Sequence, residues 1–370
     1  MLKQYKLRDY KFQLVIAIMA LNIIGILLIG SAKHSVQKMQ ILGFIAGLFI
    51  MTVVSLMDYT FILRFRWLYY VGIVGLLGLV MVPGIGDDSN GAQRWISLGG
   101  FRFQPSELAK IVIILFFAAY FAKYEENLNT LKVLLTAFAL AAVPLLLIYK
   151  QPDTSTTIAI ALIFISLLFI AGLSYKIIVP VLGICIPAGI IGISIILRKA
   201  LTSDDYRFGR IMSWLYPTDP RWTEKAAQQQ NSIMAIASGQ LWGKGLNNSV
   251  ATSMKNANYI IEPQTDFIFA VAGEELGFVG TAVIIGLLLF IIVECILIGR
   301  KARDLSGRLI CCGMAALIGF QSVFNIFVAT GLMPNTGIPL PFVSYGLTSL
   351  LSLYIGMGFV LNVGLQPKKY

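Results

Sequence analysis

Glu262-Pro-Gln-Thr-Asp-Phe-Ile-Phe-Ala-Val-Ala-Gly-Glu-Glu-Leu-Gly277 is the stretch on which the reading of this chain turns. Here the longest polar segment, residues 198–264, runs back into an apolar helical pattern, and Asp266 stands at the border. Behind it, Glu274 and Glu275 precede an apolar run over 279–293, so at least one of them needs a partner or a wet cavity. Composition identifies the border as that of a membrane. Of 370 residues, 57% are hydrophobic and only 13% charged, with a mean hydropathy of +0.80, far too apolar for a soluble domain of this length.

Working outward, apolar runs long enough for about 30 Å of hydrocarbon occur near residues 12–31, 39–57, 67–85, 106–123, 131–149, 155–173, 177–197, 266–298, 308–332 and 342–364. The expected fold is an all-α polytopic membrane protein. It has about ten transmembrane helices in one domain over 1–370: helices one to seven in 1–197, a long extracellular loop in 198–265, and helices eight to ten in 266–370. Lys3, Lys6, Arg8 and Lys11 precede the first run, which reads as an uncleaved anchor because nine more runs follow. Basic residues in short loops concentrate on the side that holds Arg64, Arg66, Lys123, Lys132, Arg300 and Lys301. Both termini are therefore expected in the cytoplasm and the long loop outside. The net charge of +11 is accounted for by this topology and by contact with anionic membrane lipids, with no call for nucleic acid.

The residue inventory limits the chemistry. Cys185, Cys295, Cys311 and Cys312 all lie in apolar runs without metal-ligand spacing, and His34 is the one histidine. A Ser-His-Asp triad or a histidine-ligated metal is thereby disfavoured, leaving carboxylates, Lys, Arg and hydroxyls. On the expected outer face, Arg94 lies in a Gly-rich loop, and Glu107 and Lys110 share a helix face just inside the membrane. They read either as a neutralising pair or as groups facing an anionic head group. Asp153, in Lys150-Gln-Pro-Asp153, reads equally as a helix cap or a site residue. In the long loop, Arg207, Arg210 and Lys244 are candidate phosphate contacts. Gly239, Gly243 and Gly245 would let backbone approach a ligand, and amphipathic segments around 206–220 and 232–245 suit the outer leaflet. The uncharged stretch 332–342, with three prolines, is expected to line the mouth of a cavity.

Several motifs together resemble the SEDS family of bacterial shape, elongation, division and sporulation proteins, whose branches are RodA, FtsW and SpoVE. They are Gly91-Ala-Gln-Arg-Trp-Ile96, Phe103-Gln-Pro-Ser-Glu-Leu-Ala-Lys110, Gln151-Pro-Asp153, Ala235-Ile-Ala-Ser-Gly239, Gly243-Lys-Gly-Leu246, the opening stretch itself, and Pro339-Leu-Pro-Phe-Val-Ser-Tyr-Gly346. The chain departs from the family pattern at Thr154, Ser155, Gln264 and Leu347. Short tails suit the RodA branch, with FtsW and SpoVE open. The resemblance implies a peptidoglycan glycosyltransferase that polymerises lipid II on the outer face of the membrane, working with a class B penicillin-binding protein. It also implies that Asp266 matches the family's essential loop aspartate and that Arg94, Glu107 and Lys110 match polar positions around its outer cavity.

The residue chemistry is compatible with that reaction. A pyrophosphate leaving group needs cations more than an acid, and an attacking sugar hydroxyl needs a base. Asp266, half desolvated, is the expected base, with its pKa raised toward neutrality. Arg94, Lys110, Lys244, Arg207 and Arg210 are the expected pyrophosphate ligands, alone or with a divalent cation such as Mg2+. With no second carboxylate adjoining Asp266, direct displacement with inversion is favoured over a covalent intermediate. The alternative for Asp266 is a helix N-cap. The rival from another class is a lipid-precursor flippase or proton-coupled transporter, with Glu107, Lys110, Asp153, Glu274 and Glu275 as an intramembrane relay. Their concentration on one face, and the lack of inverted repeats, count against it.

Overall fold

The computed structural model describes residues 9–82, 86–89, 92–98, 101–180, 183, 206–248, 253–255 and 259–366. Helices α1 (Phe12–Ala32), α2 (His34–Leu56), α3 (Tyr59–Arg64) and α4 (Arg66–Leu79) lead into a small antiparallel sheet. The sheet is built from β1 (Gly86–Ser89), β2 (Ala92–Leu98) and β3 (Phe101–Phe103) in the order β1-β2-β3. Then come α5 (Pro105–Lys123), α6 (Leu131–Lys150), α7 (Thr154–Ile170), α8 (Tyr206–Leu215), α9 (Thr223–Ser238), α10 (Ile268–Arg300), α11 (Leu305–Ala329) and α12 (Leu347–Gly364).

Among the described residues, α1, α2, α5, α6, α10, α11 and α12 are long and apolar enough to cross a membrane, and α4 and α7 are shorter apolar helices. Together they correspond to nine of the ten expected spans. The seventh, 177–197, falls almost wholly outside the described residues, where only 175–180 and 183 are seen as helical.

Helix α5 is the centre of the bundle. From Pro105 to Phe121 every residue but Leu108 is buried, and α4, α7, α11 and α12 all pack on it. Its aromatic residues extend the core: Phe116 stacks on Tyr70 of α4 at 4.4 Å between centroids, and Phe117 meets Phe164 of α7 at 4.7 Å. Outward-facing apolar residues such as Phe49, Leu68 and Ile165 are exposed, as expected of a surface whose solvent is lipid.

The structure departs from the sequence reading in three places. The 86–103 loop is a sheet rather than turns: Ile96 pairs with Phe103 and Asp87 with Trp95, and Trp95, Ile96, Phe101 and Phe103 supply the aromatic and β-branched residues that favour strands. The α8–α9 segment does not simply rest on the leaflet. Trp214 Nε1 donates to the Gly331 carbonyl, Gln229 Nε2 to Val328 and Met333, and Ser232 Oγ to Ala329, so the segment is fastened to the end of α11.

The third departure concerns the loop glycines. Helix α10 breaks at Gly277, where φ is 65°, and the backbone of 240–245 fills the break. Phe278 and Val279 N–H donate to the Gln240 and Leu241 carbonyls, while Lys244 and Gly245 N–H donate to those of Glu274 and Glu275. A Cβ on Gly239 would lie 1.9 Å from the Gly273 carbonyl oxygen, and one on Gly243 2.1 Å from that of Glu275. These two glycines therefore admit neighbouring backbone, not a ligand.

A methyl group at Gly239 must push α9 off α10. Gly239→Ala is expected to cost about 1–3 kcal/mol and to speed amide hydrogen exchange across 239–245 and 273–279, with α2 and α12 unaffected. Unchanged exchange in those segments would mean that the contact does not hold the loop.

Candidate functional site

Asp266 sits in the turn that leads into α10, and other elements hold its main chain. Asn325 on α11 uses one Nδ2 to donate both to the Asp266 carbonyl, at 2.9 Å, and to that of Ile338, at 2.7 Å. Ser344 Oγ donates to Thr265 O at 2.7 Å and accepts from Leu340 N–H, while Tyr345 N–H donates to Gln264 O at 2.8 Å. The connection between α11 and α12 thus clamps residues 264–266. This tie matters because neither segment is regular helix, and a carbonyl left unpaired at the edge of hydrocarbon would be costly.

The side chain is treated differently. Asp266 is not the α10 N-cap, a position occupied by Phe267 without a side-chain bond. Its carboxylate makes no hydrogen bond or ion pair among the described residues, and a Cβ at Gly337 would stand 3.4 Å from Oδ2. Burial pushes its pKa up to about 6. Arg210 and Arg94 pull it down, and Glu262 and Asp153 push it further up. Two cations and two further acids from four separate segments therefore act on one half-buried carboxylate.

Arg94, on β2, donates through Nε to Gln151 O at 3.1 Å and through Nη2 to Pro152 O, which fixes the turn before α7. Asp153 in that turn is the N-cap of α7, accepting from Thr156 N–H at 3.2 Å, and also acts on Asp266 electrostatically. Ser155 Oγ donates to Thr336 O, closing the ring between α7 and the α11–α12 connection. Buried polar atoms without partners gather on the same segments: Gln264 Oε1, Asn325 Oδ1, Asn335 Oδ1 and Thr336 Oγ1.

The other sequence candidates do not join this group. Lys110 Nζ lies 2.8 Å from both carboxylate oxygens of Glu107, and the two side chains are only 3% and 5% exposed. Lys244 pairs with Glu274 at 2.8 Å, and Glu274 also accepts from the N–H groups of Met254 and Lys255. Glu275 pairs with Lys255 at 2.5 Å and accepts from Ser31 Oγ of α1. The intramembrane carboxylates are thus paired locally rather than strung into one relay. Arg207 is on α8, but its side chain lies outside the described residues. Among the described residues no group of three or more His, Cys, Asp or Glu side chains could hold a metal ion.

Sequence reasoning missed Asn325, although a carboxamide inside an apolar span was the available signal. It also missed Ser344, whose role depends on the three-dimensional course of the connection.

Comparison with known proteins places this architecture. The FtsW/RodA/SpoVE cell cycle protein family matches residues 9–369. A probable peptidoglycan glycosyltransferase FtsW from Geobacter sulfurreducens is 33% identical over 373 residues, 97% of this chain and 96% of that one. Stage V sporulation protein E from Bacillus subtilis is 35% identical over 326 residues, 90% of this chain and 87% of that one. A solved peptidoglycan synthase complex, described as coordinating polymerization and crosslinking, superimposes with a TM-score of 0.78 at 26% identity, over 96% of this chain and 97% of its own. The rod-shape-determining protein RodA of Thermus thermophilus gives 0.69 at 26% identity, over 96% of each chain. A match along nearly the whole length makes this chain a member of the FtsW/RodA/SpoVE family.

Proposed function

We propose that this chain is a peptidoglycan glycosyltransferase that polymerises lipid II at the outer membrane face, with Asp266 as general base. The observation that carries the reading is the Asp266 carboxylate itself: half buried, without a hydrogen-bond partner among the described residues, and acted on by Arg94 and Arg210. The names of its relatives supply the reaction class. The acceptor sugar hydroxyl loses its proton to Asp266 as its oxygen attacks the anomeric carbon of the donor. The bond from that carbon to the pyrophosphate breaks, and the undecaprenyl pyrophosphate leaves as an anion. One displacement inverts the anomeric centre.

Arg210 and Arg94 are the cations best placed for the leaving group. A base whose carboxylate is desolvated but not paired keeps its proton affinity near the working pH. Lys110 could reach pyrophosphate only by loosening its grip on Glu107, and Lys244 only by leaving Glu274. The partner in this reading is a class B penicillin-binding protein, in keeping with the crosslinking partner implied by the solved synthase complex.

Four measurements bear on this reading. Polymerisation of labelled lipid II by the purified chain, with a partner whose transpeptidase is blocked, should fall about 10²–10⁴-fold in Asp266→Asn and Asp266→Ala. Near-normal glycan from either variant would remove Asp266 from the chemistry.

In the wild type, the rate should rise tenfold per pH unit below about 6 and level off above it, since the base works only when deprotonated. The stability sign is the reverse of the usual carboxylate case. A pKa raised on folding costs stability at pH values above it and costs nothing below 3.8, the ordinary value. Asp266→Asn should therefore melt higher than wild type at pH 7.5, and the gap should close by pH 4.

For the Glu107 and Lys110 pair, Lys110→Met alone strands a buried carboxylate and should cost about 3–5 kcal/mol. The double variant Glu107→Gln with Lys110→Met should recover folded yield. Full polymerisation by that double variant would assign the pair to structure alone, whereas a folded but inactive protein would place Lys110 at the substrate.

A further inference from the structure

At the membrane boundary opposite Asp266, the ends of α1, α10 and α12 enclose a cavity of about 320 Å³, within the range of small-molecule sites. Its wall carries four charged side chains: Asp9 and Lys11 before α1, Glu294 in α10, and Lys301 at the α10 C-cap. None of the four is in a hydrogen bond or ion pair through its side chain among the described residues. Glu294 is the least expected. It is only partly exposed, roughly 10 Å along the axis from Lys301, and lies within an apolar run where an unpaired carboxylate is expensive. The neighbouring Val293, Leu297 and Phe12 are 50%, 40% and 56% exposed, so the cavity opens beside the surface that faces acyl chains. Gly364 leaves room there: a Cβ on it would stand 3.5 Å from Lys11 Cγ, so the Lys11 stem runs beside the end of α12.

We propose that this cavity binds the headgroup of a zwitterionic phospholipid whose cation is a primary ammonium. The phosphate sits between Lys11 and Lys301, the ammonium donates to Glu294 and Asp9, and the acyl chains lie along Val293 and Leu297. Equal numbers of cations and anions among the described lining residues argue against a purely anionic lipid, for which the two carboxylates would be repulsive. A quaternary ammonium carries no N–H to donate to the carboxylates. The C-terminal ends of α10 and α12, where helix carbonyls lack intrahelical partners, also favour a cationic donor. The site is independent of the glycosyl-transfer chemistry, one membrane thickness away.

Native mass spectrometry of the full purified chain tests this, with phosphatidylethanolamine, phosphatidylcholine and phosphatidylglycerol of identical acyl chains offered in competition. The wild type should retain phosphatidylethanolamine over phosphatidylcholine by about tenfold, the scale of one charge-assisted hydrogen bond. Glu294→Gln combined with Asp9→Asn should abolish that preference while some phospholipid binding persists. Lys11→Gln with Lys301→Gln should weaken both zwitterionic lipids together. Glu294→Gln alone, nearly isosteric, gives the same reading if the first double variant does not fold. Equal retention of the two zwitterionic lipids by wild type, a preference untouched by the carboxamide variants, or phosphatidylglycerol outcompeting both would overturn the proposal.

Discussion

Inside a bilayer the backbone has no water to fall back on, and the departures from helix around Asp266 exist only because their polar groups are answered from elsewhere in the chain. At Gly277 the answer is the backbone of 240–245, laid into the break. At 264–266 it is Asn325, Ser344 and Tyr345. Before α7 it is the Arg94 guanidinium, which takes the carbonyls of Gln151 and Pro152. The regular helices supply area and rigidity, but the shape of the surface around Asp266 depends on these local substitutes for an intrahelical partner.

That arrangement separates two tasks usually assigned to one residue. Asp266 is placed through its main chain, which leaves its carboxylate uncommitted. The groups that tune it, Arg210, Arg94, Glu262 and Asp153, come from four segments and act through space rather than by contact. Desolvation outweighs the two arginines, so the carboxyl holds its proton to about pH 6 despite cations nearby. Arg94 and Asp153 each serve twice, as a clamp or cap on the turn before α7 and as a charge felt by Asp266.

The spans and the border position of Asp266 were legible in the sequence because both are written in composition: long apolar runs, and an acid where polarity stops. The strands around Arg94 carry a weaker signal, the strand-favouring Trp95, Ile96, Phe101 and Phe103 set among flanking glycines. What sequence could not supply was pairing. Glu274 and Glu275 are adjacent in the chain, yet they answer to Lys244 and Lys255 in different parts of the loop, and Glu275 also to Ser31 at the far end of the sequence. Gly239 and Gly243 look the same whether they face a phosphate or a carbonyl, and only the packing of α9 on α10 decides between the two.

The order of those partners along the chain bears on how the protein is made. Lys244 and Lys255 precede Glu274 and Glu275 by 30 and 20 residues, and Ser31 by far more. When the ribosome delivers the two acids at the start of α10, every group that will neutralise them has already been synthesised. Two adjacent carboxylates would otherwise be a poor opening for a membrane helix. Here the counter-charges lie earlier in the chain than the acids they pair with, so neutralising Glu274 and Glu275 does not have to wait for α11 or α12 to be made.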